Sequence, residues 1–97
     1  MDSWEFTDRR SHMTARILIV EDEKDSRFIY ERLLTKNGYS VRSAHNGDDA
    51  LPIIEEYKPK VILADWTMPK LNGVELCNII KNKEEYKLIY FILLTAR

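Results

Sequence analysis

Three carboxylates in this 97-residue chain stand where they can act together. Glu21 and Asp22 follow directly on the apolar run Ile17-Leu18-Ile19-Val20, and Asp65 follows a second such run, Val61-Ile62-Leu63-Ala64. If both runs are strands of one parallel sheet, their ends point to the same edge and acids distant in sequence converge there. Clustered carboxylates repel one another and bind a hard cation such as Mg²⁺ through oxygen. An Asp held beside Mg²⁺ can also attack a phosphoryl group as a nucleophile. Thr95 closes a further apolar run at the same edge, and its hydroxyl and the amide of Ala96 can donate to a phosphoryl oxygen.

Taken singly, these residues have plainer explanations. A Glu-Asp pair ahead of a helix is ordinarily a solvated acidic turn. A Thr at a strand end is ordinarily there for its strand preference. The matching placement at two strand ends is what points to a ligand site, because doubly wound sheets bind ligands beyond the carboxyl ends of their strands.

The elements that must hold these residues can be read from periodicity. Ile17 to Val20 is short and rich in β-branched residues, as a buried strand should be. Ser26, Ile29, Tyr30, Leu33 and Leu34 recur at helical spacing, with Asp25 as the expected N-cap and Gly38 as a left-handed stop after Asn37. Tyr39 to Ala44 alternates like a more exposed strand, and Asn46-Gly47 marks a turn. Ala50, Ile53, Ile54 and Tyr57 form the stripe of a second helix, with Asp48 and Asp49 favourable in its first turn. Pro52 should lie near the first turn of that helix or kink it, and Pro59 ends the segment. Val61 to Asp65 reads as a third strand, Met68 to Gly73 as a loop, Val74 to Asn82 as a third helix, and Leu88 to Thr95 as a fourth strand. The order β-α-β-α-β-α-β implies an α/β domain with a parallel sheet and right-handed crossovers.

Composition excludes several classes. Hydrophobic residues make up 44% and charged residues 32%, an ordinary globular balance, and the length allows one small domain. A net charge of -1 argues against a nucleic-acid or anionic-membrane surface. The apolar runs are too short to span a bilayer. Cys77 is the only cysteine, so no internal disulfide forms, and a reduced, cytoplasmic setting is expected. Residues 1–12 lack apolar periodicity, and Ser11-His12-Met13 reads as a cloning remnant before a native start. The expected domain is therefore 13–97 behind a tag or disordered leader.

Glu21-Asp22, then Asp65-Trp66-Thr67-Met68-Pro69-Lys70-Leu71-Asn72-Gly73, then Thr95-Ala96-Arg97 resemble the receiver domain of bacterial two-component response regulators. The resemblance covers Thr14 to Arg97, and its most specific part is the Asp-x-x-Met-Pro-x-x-x-Gly segment after a Val/Ile/Leu strand. It implies a flavodoxin-like doubly wound sheet and a phosphoryl group accepted on Asp65 from a histidine kinase or phosphotransfer protein. It implies Mg²⁺ held by Asp22, Asp65 and the carbonyl of Thr67, with Glu21 acting through water. Thr95 is implied as the switch hydroxyl, with Ala96 leaving room for the incoming group. The added charge would then bias a two-state loop. A self-phosphorylating module of this kind is not a turnover enzyme.

The family pattern continues past the point where this chain stops. The missing strand normally ends in a Lys that pairs with the phosphoryl group, and Lys70 and Lys81 come too early to replace it. Loss of that contact would cost the phosphorylated state roughly 1.5–3 kcal/mol. The fourth strand becomes an edge, and its uncharged run Ile89 to Leu94 is a template for pairing with another chain. The expected outcomes are self-association through that strand, exchange of elements between copies, or origin as a fragment of a longer parent. The competing function is accordingly an interaction module with impaired phosphorylation. A metal-dependent phosphohydrolase would place a second acid two residues after its nucleophile, where this chain has Thr67. A flavin carrier would have a Ser/Thr/Gly-rich loop where this chain has Glu21-Asp22. Trp66 either borders the acidic pocket or is a half-buried aromatic at a strand end, while Cys77 is expected to be core, His45 to be surface, and Glu84-Glu85 to be a solvated helix end.

Overall fold

The computed structural model describes residues 15–65 and 72–94. The leader at 1–12, Trp66, Thr67, Lys70, Thr95 and Ala96 lie outside the described residues. Arg16–Val20 forms β1, Lys24–Lys36 α1, Ser40–Ala44 β2, Gly47–Tyr57 α2, Val61–Asp65 β3, Gly73–Lys81 α3 and Tyr90–Leu94 β4. A 3₁₀ turn at Glu84–Tyr86 joins α3 to β4.

The four strands make one parallel sheet in the order β2-β1-β3-β4. The chain builds outward from β1 to β2, then crosses back over β1 to β3. The switch point of this flavodoxin-like α/β fold therefore lies between β1 and β3. Because β1 is flanked on both sides and covered on both faces, Ile17, Leu18, Ile19 and Val20 are all buried. Alternation then sorts side chains to the two faces. Leu18, Val20, Ile62 and Ala64 join Ala50 and Ile54 of α2, Leu76 and Ile80 of α3, and Tyr86 and Ile89 in one core. The opposite face carries α1, whose Glu31 carboxylate accepts from the Ser43 hydroxyl of β2.

The two faces are packed unequally. Burying a side chain the size of Leu or Ile contributes about 1.5–3 kcal/mol, and the α2/α3 face gains this from several fully buried residues. By contrast α1 has no buried residue, and Phe28, Ile29 and Leu33 are more than half exposed. On the same side, Tyr90 and Ile92 of β4 are exposed. Among the described residues β4 is thus an edge strand with an uncovered face.

The helix ends follow local chemistry, with some departures from expectation. The N-cap of α1 is Glu23 rather than Asp25, which lies in the first turn, where its charge suits the helix dipole. Gly38 takes φ 94° after Asn37, the left-handed stop that its lack of Cβ permits. Asn46 caps α2 by accepting from the Asp49 N–H at 2.8 Å, so the Asn-Gly pair opens a helix as well as turning the chain. Pro52 lies inside α2, past the first turn. The helix ends on Lys58 in the left-handed region, followed by Pro59. Gly73 is the first residue of α3 rather than the end of a loop. The stretch around Glu84-Glu85 is solvated as expected but forms a separate 3₁₀ turn rather than the end of α3, and its Tyr86 is a core residue that the charged neighbours conceal in the sequence.

Candidate functional site

The register of the sheet decides where the acids go. Val20 pairs with Ala44 on one side and Ala64 on the other. One step further along the ladder places Glu21 beside Asp65, at the carboxyl edge of the two central strands. Carboxylate oxygens of Glu21, Asp22 and Asp65 all lie within 4.8 Å of one another. Glu21 and Asp65 are only 2% and 1% exposed, whereas Asp22 faces solvent. Asp and Glu are almost never this buried without partners, so Glu21 and Asp65 form a buried acidic pair at one sheet edge with Asp22 beside it.

The loop that carries two of the acids is held at several points. The Glu21 N–H donates to the Ala44 carbonyl at 3.1 Å, extending the sheet by one bond. The Glu21 Oε2 accepts the Glu23 N–H at 3.0 Å, which folds the carboxylate back along its own turn. The Arg27 Nη1 donates to the Glu21 carbonyl at 2.9 Å. Ser26 donates its hydroxyl to Glu23 Oε1, tying the helix cap to the first turn of α1.

Asp65 is positioned from the other side by α3. A Cβ built on Gly73 would meet the Asp65 carbonyl oxygen at 2.5 Å and the Asp65 carbonyl carbon at 3.0 Å. Only a residue without a side chain lets the start of α3 come this near to the end of β3. A reciprocal capping box fixes the approach. Asn72 Oδ1 accepts the Glu75 N–H at 3.0 Å and Glu75 Oε1 accepts the Asn72 N–H at 3.1 Å.

Sequence reasoning identified the three acids but assigned no role to Arg27, Gly73 or the Asn72/Glu75 box. The box was visible as Asn-x-x-Glu ahead of an apolar helix. Arg27 could be reached only through the rule that helical side chains lean toward the N-terminus. Lys81 donates to the carbonyls of Lys87 and Ile89, so it serves the turn before β4 and not the acidic edge. His45 is exposed and Cys77 half-buried.

An all-oxygen set of three carboxylates, one of them open to water, suits a hard divalent cation. Mg²⁺ in particular binds few protein ligands and keeps several waters.

A family model described as the response regulator receiver domain matches residues 17–97. The response regulator MprA of Mycobacterium bovis (strain BCG / Pasteur 1173P2) is 39% identical over 85 residues, covering 88% of this chain and 36% of its own. The MprA of Mycobacterium tuberculosis (strain ATCC 25618 / H37Rv) matches with the same identity and coverage. The chain thus spans about a third of the length of these curated relatives. The solved chemotaxis protein CheY4 of Vibrio cholerae superposes with a TM-score of 0.82 at 28% identity, over 87% of this chain and 70% of that one. The receiver domain of the sensor histidine kinase PA1611 from Pseudomonas aeruginosa PAO1 has a TM-score of 0.80 at 30% identity, over 87% and 69%. That structure has a magnesium ion coordinated in its active site cleft.

Proposed function

This chain belongs to the response regulator receiver domain family, and on that premise we propose that Asp65 accepts a phosphoryl group from a histidine kinase or phosphotransfer protein. The observation that carries the reading is the convergence of Glu21, Asp22 and Asp65 within 4.8 Å at the sheet switch point. In this reading Asp22 and Asp65 hold Mg²⁺ directly, the Thr67 carbonyl adds a ligand, and Glu21 acts through water. The donor set fits the ion, being all oxygen with one open side. When bound, Mg²⁺ neutralises the charge that gathers between the acids and the phosphoryl oxygens.

The chain's own groups do the rest. The Asp65 carboxylate oxygen attacks phosphorus, the bond from phosphorus to the donor nitrogen breaks, and the imidazole leaves with its electron pair and takes a proton from water. Burial holds Asp65 in one orientation, which favours in-line attack. Thr95 and Ala96 are the proposed donors to the phosphoryl oxygens, with Thr95 as the switch. Each chain takes up one phosphoryl group, so the domain is a phosphoacceptor and not a turnover enzyme.

The test is intact mass after incubation with Mg²⁺ and a small acyl phosphate, with Asp65→Asn in parallel. A gain of one phosphoryl group in the parent alone supports the reading. No gain, or a gain that survives Asp65→Asn, overturns it.

A second reading, an interaction module with impaired phosphorylation, is favoured by β4. Tyr90 and Ile92 are 74% and 47% exposed on an uncharged strand that is outermost in the sheet among the described residues. Two copies can pair edge to edge about a two-fold axis, which closes on itself. Sedimentation of the chain across a range of concentrations tests this. Association that Ile92→Lys abolishes supports pairing through β4, and a monomer at every concentration rejects it.

A further inference from the structure

We propose that two copies of this chain join β4 to β4 antiparallel in one register, with Ile92 facing Ile92 of the second copy on the two-fold axis. The inference rests on the reading of β4 as an association surface given above, and it fixes the geometry. The direction of the main chain follows from one bond. The Tyr90 N–H donates to the Lys60 carbonyl at 2.9 Å, so Tyr90 turns its backbone groups toward β3. This direction alternates along a strand, so Ile92 and Leu94 do the same, as the parallel register with β3 requires. Phe91 and Leu93 turn theirs to the outer edge, where β4 is the last strand among the described residues. Ile89 comes next in that row, but its N–H donates to the Tyr86 carbonyl at 3.2 Å and its carbonyl accepts from the Lys81 ammonium. The row open to a partner therefore starts at Phe91.

A second copy suits this edge better than the tail of the same chain. Three residues of the sequence follow Leu94, and a hairpin returning onto β4 spends two of them in its turn. A parallel strand needs a crossover of about a dozen residues or more. Two-fold symmetry makes each copy offer the same strand, so the fit depends on β4 alone. An axis centred on Ile92 sets Phe91 of each copy opposite Leu93 of the other. Residues paired in this way exchange both of their backbone bonds. All five residues of β4 are then matched, and the open groups of Phe91 and Leu93 are used. An axis centred on Phe91 instead sets Leu93 against Ile89, whose groups are already taken. The side chains agree with the Ile92 register. Tyr90 meets Leu94 of the second copy on the face away from the core, beside the two Ile92, and no charge opposes another along Tyr-Phe-Ile-Leu-Leu. The exposed members of β4, Tyr90 and Ile92, thereby gain apolar neighbours.

The experiment is disulfide trapping in glutathione buffer, read by intact mass without reduction. It uses a Cys77→Ser background, because Cys77 is the only native thiol. A disulfide needs Cα atoms about 4.4–6.8 Å apart. A non-hydrogen-bonded pair on the axis brings them to about 4.5 Å, so Ile92→Cys should link to itself. Phe91→Cys and Leu93→Cys should not, since an offset of two residues puts each about 8–9 Å from its own mate. Tyr90→Cys and Leu94→Cys should each stay unlinked alone and form the mixed dimer when combined. That combination carries the test if Ile92→Cys does not fold. Self-linkage of Phe91→Cys or Leu93→Cys overturns the register and leaves association standing. So does a chain that sedimentation shows to be associated but that links neither at Ile92 nor between Tyr90 and Leu94. A chain that sediments as a monomer, as it would with its own leader laid on β4, and links at no position overturns association and register together.

Discussion

Replacing Gly73 by alanine sets two effects of known sign against each other. Alanine is the better helix former, and Gly73 is the first residue of α3, so the exchange gains at most about 1 kcal/mol in propensity. Against this stands the added Cβ, 2.5 Å from the Asp65 carbonyl oxygen, 2.9 Å from Leu93 Cδ2 and 3.0 Å from the Asp65 carbonyl carbon. Ordinary contact begins at 3.4 Å, so the first of these is short by 0.9 Å. Leu93 can rotate away, but the other two atoms are backbone of a buried strand end and cannot. Overpacking of this kind costs about 1–3 kcal/mol, so against the full propensity gain the steric term leaves a net loss of about 0–2 kcal/mol. For a domain of this size the midpoint of thermal unfolding falls by about 4–8 °C for each kcal/mol. The strain is relieved by moving Asp65, so phosphoryl uptake should slow by more than the loss of folded protein explains. Thermal melts by circular dichroism give the first quantity, and a time course of intact mass with an acyl phosphate gives the second. A Gly73→Ala protein as stable as the parent, and phosphorylated at the parent rate, would refute the close approach of α3 to β3.

Asn72→Ala removes the acceptor for the Glu75 N–H and should cost about 1 kcal/mol in urea unfolding. Glu75→Ala on top should cost less than it does alone, because the two halves of the box depend on each other. Ile80→Ala, at a fully buried position facing the sheet, should cost about 2–5 kcal/mol by the same assay. Burial of the Tyr86 ring, and then the carboxylates of Glu85 and Glu55, push its hydroxyl above the ordinary tyrosine range. The folded protein therefore keeps this proton where the unfolded chain has released it. Its contribution is whole below about pH 10 and is lost as pH rises further through the folded value. Urea midpoints measured above that pH should decline less steeply in Tyr86→Phe than in the parent.

Much of this molecule was legible in its residues. The apolar runs 17–20 and 61–64 fix two parallel strands, and the acids that follow them must then share an edge, because chain direction leaves no other place for them. Gly38, Pro59 and the paired Asp48-Asp49 mark helix ends through backbone and dipole effects that act within one turn. Local chemistry of this kind needs no partner from elsewhere in the chain. It misplaced the start of α1 by two residues because Glu23 and Asp25 are both acids able to stand at a helix end, and only the path out of β1 chooses between them.

The rest required the third dimension. The run Lys83-Glu84-Glu85 hides Tyr86, whose burial depends on a 3₁₀ turn that returns it to the α2/α3 core. Arg27 and Gly73 resemble many surface arginines and loop glycines until the sheet brings the Glu21 carbonyl under one and the Asp65 carbonyl against the other. The sequence by itself determined which groups can do chemistry and at which edge they gather. Tertiary structure alone decided how closely they are held, because a hydrogen bond or a steric contact depends on tenths of an ångström between segments that no spacing rule connects.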